Sequence, residues 1–306
     1  MMKKLLALLL VLMLSLTATA ALGAEIGFLP PAMTSPFYAA CIEGATPVAT
    51  ASGYELLVMA PPSEDDYATQ MSMMEDMITR GVKGIAVCGI NLDALIPGIK
   101  KANEAGIPVV MFNTITELEG VEVYAYSGYN QYNGGGKIAD WVNEKTGGTA
   151  KVAIIEGLPS DYTTQRMGGF VDRCKEVYPN IEVVATQPGD WVREKGMNAA
   201  MDMLQAHPEI NVIYGLSDEM ALGAVQAIKQ LGRDDIIVVG LDGNPNAFES
   251  VKAGELTATL DCGPVAIGAN AILAIVEALD NVPREEKVIE AETTVVDISL
   301  VDNYIK

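Results

Sequence analysis

The chain has 306 residues, half of them hydrophobic, with 40 acidic against 20 basic side chains and a single histidine. A net charge of −20 at pH 7 argues against nucleic acid as a partner, because affinity for a phosphate backbone comes mainly from lysine and arginine. One histidine and no Gly-x-Ser-x-Gly turn make a Ser-His-Asp hydrolase or a histidine-ligated zinc centre hard to assemble, so the expectation is a protein that is not an enzyme and holds no cofactor or metal.

The chain opens with Lys3 and Lys4, continues with an apolar run over 5–16 broken only by Ser15, and ends that segment in small residues at Ala21-Leu22-Gly23-Ala24. A basic start, a short apolar stretch and small residues at a cleavage point predict a secretory signal peptide over 1–24. The run is too short to span a membrane, and no cysteine follows it directly, so the expectation is a free periplasmic protein. The acidic surface suits an abundant, soluble monomer. Export permits disulfides among Cys41, Cys88, Cys174 and Cys262. Their spacing matches no zinc or redox motif, and they are expected mainly as buried thiols packed like small apolar side chains.

From there short apolar runs alternate with longer amphipathic ones. Strands are predicted over 26–29, 54–59, 85–88, 108–112 and 123–126, with helices over 37–52, 65–80 and 92–105 between them. In the second helix Met71, Met74 and Ile78 share a face, which reads as core packing. Gly53, Gly81 and Gly106 stand where a left-handed residue closes a helix. The pattern then restarts: helices over 130–145, 162–178, 193–206 and 219–231 alternate with strands over 151–156, 181–186, 212–214 and 236–241. A helix over 247–253, a strand over 256–260, a long helix over 265–279 and a last strand over 294–298 complete the chain. Strand–helix alternation implies parallel sheets with helices on both faces, and two alternations of similar size imply two similar α/β lobes.

In open parallel sheets ligands sit beyond the carboxyl ends of the strands. The residues there are Thr34-Ser35-Pro36-Phe37-Tyr38, Cys88-Gly89-Ile90-Asn91 and Asn113-Thr114 in the first half. In the second half they are residues 158–165, Asp190-Trp191, Ser217-Asp218 and Asp242-Gly243-Asn244. Amides, hydroxyls, aromatics and a few carboxylates are what a neutral polyhydroxylated ligand needs: hydroxyls exchange hydrogen bonds with the polar groups, and aromatic faces pack on the C–H faces of a ring. Other assignments compete at several of these positions. Asp242 before Gly243 suits a turn, Ser217 suits a helix N-cap, and Asn91 and Asn113 suit strand-end turns. Gly134-Gly135-Gly136-Lys137 departs from the phosphate-loop pattern, since Ile138 replaces the required Ser or Thr, and reads as close helix packing. Glu64-Asp65-Asp66 and Asp234-Asp235 read as solvated charge clusters.

Several motifs resemble those of the periplasmic sugar-binding proteins of the ribose and galactose type, over essentially the whole chain after residue 24. They are Ser217-Asp218-Glu219-Met220-Ala221-Leu222-Gly223-Ala224, then Val238-Val239-Gly240-Leu241-Asp242-Gly243, with Ser35-Pro36-Phe37-Tyr38, Gly135-Gly136-Lys137-Ile138-Ala139, and Arg166 with Gly169-Phe170. The resemblance implies two Rossmann-like lobes joined by a three-crossover hinge, a type I periplasmic binding protein. The N-terminal lobe would comprise 25–127 plus 264–292, and the C-terminal lobe 128–263 plus 293–306. The crossings would lie near Tyr126 to Tyr129, at Cys262-Gly263-Pro264 and near Glu292-Thr293, with Gly128 and Gly263 supplying permissive backbone.

Position by position, the resemblance implies that Phe37, Tyr38 and Trp191 stack on the ligand and that Asp242 accepts its hydroxyls. Ser35 and Ser217 stand where a ribose binder has asparagines, Asn113 where it has an aspartate, Thr114 and Thr164 where it has ligand-binding arginines, and Cys262 where it has a glutamine. Arg166 aligns with an arginine expected to be structural. A hydrogen bond from a charged donor contributes about 1.5–3 kcal/mol, so losing two arginines disfavours ribose itself. Asp161, Tyr162, Gln165 and Asp261 are the candidates to take over, and Asn91 completes the ligand-binding set. The implied function is a solute-binding receptor that closes on a small neutral sugar, polyol or related molecule and delivers it to the membrane subunits of an ABC importer. The alternative is a signalling receptor that presents a sugar-like signal to a sensor kinase or chemoreceptor.

Overall fold

The structure, a computed structural model, describes residues 24–305. The signal peptide expected over 1–24 lies, but for Ala24, outside the described residues. Strand β1 (Glu25–Leu29) leads through helix α1 (Pro36–Ala51) to β2 (Glu55–Val58), α2 (Tyr67–Arg80), β3 (Ile85–Val87), α3 (Leu92–Glu104), β4 (Val109–Phe112) and β5 (Ala125–Gly128). A second series follows: α4 (Gln131–Thr146), β6 (Ala150–Glu156), α5 (Asp161–Val177), β7 (Ile181–Pro188), α6 (Arg193–Ala206), β8 (Val212–Gly215), α7 (Asp218–Leu231), β9 (Ile237–Asp242), α8 (Pro245–Lys252) and β10 (Ala258–Asp261). Helix α9 (Pro264–Leu279), β11 (Val288–Glu290), β12 (Thr294–Asp297) and a 3-10 turn (Val301–Asn303) end the chain.

These elements form two α/β lobes, each a six-stranded sheet flanked by helices. The first sheet has the order β11-β5-β4-β3-β1-β2 and is parallel throughout. The second has the order β12-β10-β9-β8-β6-β7 and is parallel except for the antiparallel edge strand β12. The central strands β3, β4 and β8 are buried along their whole length, as apolar runs covered on both faces require. The chain passes between the sheets three times: after β5, after β10 and between β11 and β12. Gly263 at the second passage has φ +65 and stands at the N-cap of α9. At the first passage Gly128 has ordinary φ, and its contribution is close approach: a Cβ there would lie 2.5 Å from the Thr114 nitrogen.

The alternation read from the sequence is the observed order. Two differences have local causes. The strand expected over 123–126 is found at Ala125–Gly128, because its extent is set by pairing on both sides, Ala125 to Ser127 with Val110 to Phe112 of β4 and Tyr126 to Gly128 with Val288 to Glu290 of β11. Strand β11 was not anticipated: three residues next to Glu285, Glu286 and Lys287 are too few to show a period, and only pairing with β5 defines it. The four cysteines are buried, unpaired thiols. On α2 the core face is made by Met74 and Met77, with Met71 and Ile78 partly buried beside it. The helix closes at Gly81 with φ +75.

Three helix pairs pack backbone to backbone through glycine. On α1 and α9 a Cβ at Gly44 would sit 1.9 Å from the Val265 carbonyl oxygen, and one at Gly268 1.8 Å from that of Cys41. On α4 and α5 the corresponding distances are 2.1 Å from Gly135 to Arg166 and 1.8 Å from Gly169 to Tyr132. On α6 and α7 a Cβ at Gly223 would lie 2.2 Å from the Arg193 oxygen. The glycine run at 134–136 is thus a packing feature, as its departure from the phosphate-loop pattern suggests.

Candidate functional site

Strands of both sheets end at one cavity of about 300 Å³. Its wall is built by the short stretches that turn each strand into the next helix. Ser35 caps α1, its Oγ accepting from the Phe37 N–H at 3.3 Å. Asn91 caps α3 through the Ala94 N–H at 2.9 Å. Ser160 caps α5 through Thr163, and Ser217 caps α7 through Met220 at 3.4 Å. All four line the cavity. A cap residue satisfies otherwise orphaned helix N–H groups, and at these four strand ends the same side chain also stands on the cavity wall.

The aromatic part comes from both lobes. Phe37 and Tyr38 meet edge to face with centroids 5.4 Å apart. Trp191 follows Asp190 in a turn where both residues have left-handed φ, 50° and 65°. That turn lays the indole flat over Gly157, where a Cβ would fall 1.9 Å from the ring. The Arg166 guanidinium lies 5.4 Å from the Trp191 ring centroid. Tyr162 reaches across from the second lobe, its hydroxyl 3.4 Å from the Cys88 sulfur at the end of β3. The lobes therefore stand closed on the cavity, with Gln165 donating to the Thr116 hydroxyl at 3.3 Å as a further bridge.

Gly157 provides a direct check on this geometry. In a Trp141→Phe background, which leaves Trp191 as the only tryptophan, Gly157→Ala should push the indole off its seat. The expected readout is a red-shifted emission and easier quenching by acrylamide. Unchanged emission would contradict the packing of Trp191 over Gly157.

The polar centre is a buried network. Asp242 has φ 150, outside the regions that non-glycine residues prefer. Its carboxylate accepts from Arg166 at 3.4 Å, from the Asp218 N–H at 3.3 Å and from the Asn244 amide at 3.4 Å. Arg166 also donates to Gln131 at 2.8 Å and to the Leu216 carbonyl at 2.7 Å. Asp218, fully buried one layer behind, accepts from the Thr259 hydroxyl at 2.5 Å and from the Asn244 N–H at 2.8 Å. Burial, and then the charge of Asp242, push its carboxyl well above the ordinary range. Burial also raises Asp242, while Arg166 pulls it back. Asn113 has φ 61, a conformation that asparagine tolerates better than most residues. Its side-chain oxygen is buried without a partner among the described residues on the cavity wall, and buried polar atoms are rarely left so.

Of the residues singled out in the sequence, Ser35, Phe37, Tyr38, Asn91, Asn113, Tyr162, Trp191, Ser217 and Asp242 line the cavity. Thr114, Thr164, Gln165, Asp261 and Cys262 stand outside its wall. Thr114 is buried behind Asn113, its hydroxyl accepting from Thr116. The Thr164 hydroxyl is exposed and turned back to the Ser160 carbonyl. Asp261 accepts from the Gly263 N–H at 2.9 Å, and the Cys262 thiol is buried against the Leu260 carbonyl.

Two wall residues depart from the sequence reading. Arg166, expected only to be structural, lines the cavity as well as bracing it. Glu64, expected to be solvated, is half-buried on the wall, while Asp65 beside it reaches the wall and stays exposed, in keeping with that expectation. Asp66 of the same run has a structural task, capping α2 through Thr69. The loop that follows β2 turns Glu64 inward, and nothing in the local sequence pattern marks that turn.

The sequence matches the periplasmic binding protein domain family over residues 26–282. It is 32% identical over 289 residues to the ribose import binding protein RbsB of Escherichia coli, covering 94% of this chain and 95% of that protein. It is 33% identical over 275 residues to the D-allose-binding periplasmic protein of the same organism, covering 87% and 88%. An ABC transporter periplasmic solute binding protein from Actinobacillus succinogenes, solved with bound D-allose, superposes with a TM-score of 0.86 at 31% identity, covering 92% of this chain and 99% of that one.

Proposed function

The chain belongs to the periplasmic binding protein family, and from that membership we propose that it is the receptor of an ABC importer for one small, neutral, polyhydroxylated molecule, a sugar or polyol. The observation that supports this reading most is the cavity itself. Both lobes wall it, aromatic rings from each face it, and the Asn113 oxygen and the Asp242 carboxylate offer acceptors there. Ligand pockets range over about 300–1,000 Å³, so this cavity suits a single ring or a short polyol rather than an oligosaccharide.

In this reading Phe37, Tyr38 and Trp191 pack on the ring, while Asp242, Asn113, Asn91, Ser35 and Ser217 bind hydroxyls. Thr114, Thr164, Gln165, Asp261 and Cys262 act from behind the wall or at the hinge. The lobes are 25–127 plus 264–292 and 128–263 plus 293–306, and each passage between the sheets is a hinge strand. The receptor is exported by its first 24 residues, works in the periplasm as a monomer and releases its ligand unchanged to the importer's membrane subunits. Differential contact with both lobes favours the closed state. No observation favours the signalling alternative.

The test is the mass of any small molecule released when the purified protein is denatured. A compound in the monosaccharide or polyol range is expected. An amino acid, a peptide or a nucleoside would overturn the reading.

A further inference from the structure

Three consecutive acids, Glu64, Asp65 and Asp66, follow β2, and the structure divides their roles. Asp65 accepts from the Ser63 hydroxyl at 2.5 Å, and Asp66 accepts from the Thr69 N–H at 3.0 Å. Glu64 has no such task. It lines the cavity, and among the described residues burial and distant charges, not hydrogen bonds, set its acidity.

Among the described residues no group around it serves as its counter-ion: Lys195 of α6, near Asp65, is held by Asp190 at 2.8 Å. Tyr38 of α1 and Cys88 at the end of β3 lie near it in the first lobe. Asp242 at the end of β9 and Arg166 of α5 face it from the second. Asp65 and Tyr67 flank it in its own loop, and Glu219 of α7 completes the acidic groups on the wall. Arg166, the cation on that wall, is already held by Gln131, Leu216 and Asp242, and Glu219 is engaged by Arg193 at 2.6 Å. Glu64 is half-buried on the cavity wall, so once a ligand fills the cleft its ionised form would face Asp242 with no cation of its own among the described residues, and burying an unpaired charge is unfavourable.

We propose that Glu64 enters the liganded cleft as the neutral acid, taking a proton from solvent and donating it in a hydrogen bond to an oxygen of the bound polyol, so that ligand binding is coupled to proton uptake. The inference rests on the sugar-receptor reading above.

Burial, and then the Asp242 charge, push the Glu64 carboxyl from 4.5 up to about 7, with Arg166 acting the other way. The sign follows from a raised value. The favourable contribution of the neutral acid is complete below its ordinary value and is lost as pH rises through 7. With those two values for the open and closed states, affinity falls about tenfold from pH 6 to pH 8.

The experiment takes whichever of D-ribose, D-allose, D-arabinose, xylitol and myo-inositol most raises the melting temperature of the full protein. Binding of that compound is then measured by calorimetry at pH 6 and pH 8, in two buffers of different ionisation enthalpy. Wild type should take up a proton near neutrality and lose affinity toward pH 8. Glu64→Gln, which keeps the shape and can still donate, should lose most of the proton uptake and most of the fall in affinity, leaving only the share that the buried Asp242 carboxyl contributes toward pH 6. A flat wild-type profile, or the wild-type slope retained in full by Glu64→Gln, would overturn the coupling while leaving the receptor reading intact. If none of the five compounds binds, that reading fails for this panel, and the coupling is judged separately. Carbon-detected NMR of the protein still carrying the compound it co-purifies with, and therefore closed, should then show one glutamate carboxyl titrating near 7 and absent from Glu64→Gln. If every glutamate titrates in the ordinary range, Glu64 is not the group inferred here.

Discussion

Asp242→Ala should destabilise the folded protein by about 3–5 kcal/mol and abolish ligand binding. Both partners of the Arg166–Asp242 pair are only 4% exposed. Removing the carboxylate strands a guanidinium that α5 holds in place through Gln131 and Leu216, and breaking a buried pair by deleting one partner has that order of cost. Asp218 lies behind and offsets part of the loss, because it ionises more readily once Asp242's charge no longer raises it. The double variant Asp242→Ala/Arg166→Met separates the two roles. With the stranded charge gone, much of the stability should return, since buried pairs are often replaceable by apolar groups. Binding should not return, because the acceptor for ligand hydroxyls is still missing. Urea unfolding, with the midpoint compared at constant slope, reads the first effect, and calorimetry reads the second. Equal stability of Asp242→Ala and wild type would contradict the network described.

The second large effect comes from a residue that does not touch the cavity. Gly169→Ala would place a methyl group 1.8 Å from the Tyr132 carbonyl oxygen and 2.7 Å from its carbon. These are backbone atoms of a neighbouring helix, so no side chain can swing away, and α4 and α5 must part. Overpacking usually costs about 1–3 kcal/mol, and a backbone clash belongs at or above the top of that range. Helix α5 also presents Tyr162 and Arg166 to the cleft, so affinity should fall with stability. Gly168→Ala is the control one residue away. Its Cβ would meet the Tyr132 ring at 3.7 Å, an ordinary contact, and alanine gains up to about 1 kcal/mol of helix propensity over glycine. Thermal unfolding should therefore place Gly168→Ala at or above wild type and Gly169→Ala well below it. Equal melting temperatures for the two would contradict the close packing of α4 on α5.

The strand–helix order was legible because most strands are short apolar runs and six helices, from α1 with Ser35 to α7 with Ser217, start at a capping side chain. The same caps made much of the cavity wall legible, since they sit where strands end. What the sequence did not reveal depends on direction rather than residue type. Thr164 and Arg166 lie on one helix, yet the first turns its hydroxyl outward to the Ser160 carbonyl while the second points into the cleft. Residue type alone also cannot separate Glu64 from Asp65 and Asp66, because only the path of the loop after β2 turns one of three adjacent acids inward. Strand β11 was invisible for a third reason. Three residues at a sheet edge show no pattern of their own, and their strand character comes from a partner, β5, about 160 positions earlier.

The central claim is that two lobes close around one small polyol, and small-angle X-ray scattering of the purified protein tests it most directly. Stripped of any co-purified compound by partial unfolding and refolding, the protein should show a larger radius of gyration than it does after the released compound is added back, with the closed curve matching that calculated from the structure. A radius of gyration that stays the same with and without that compound would contradict the account.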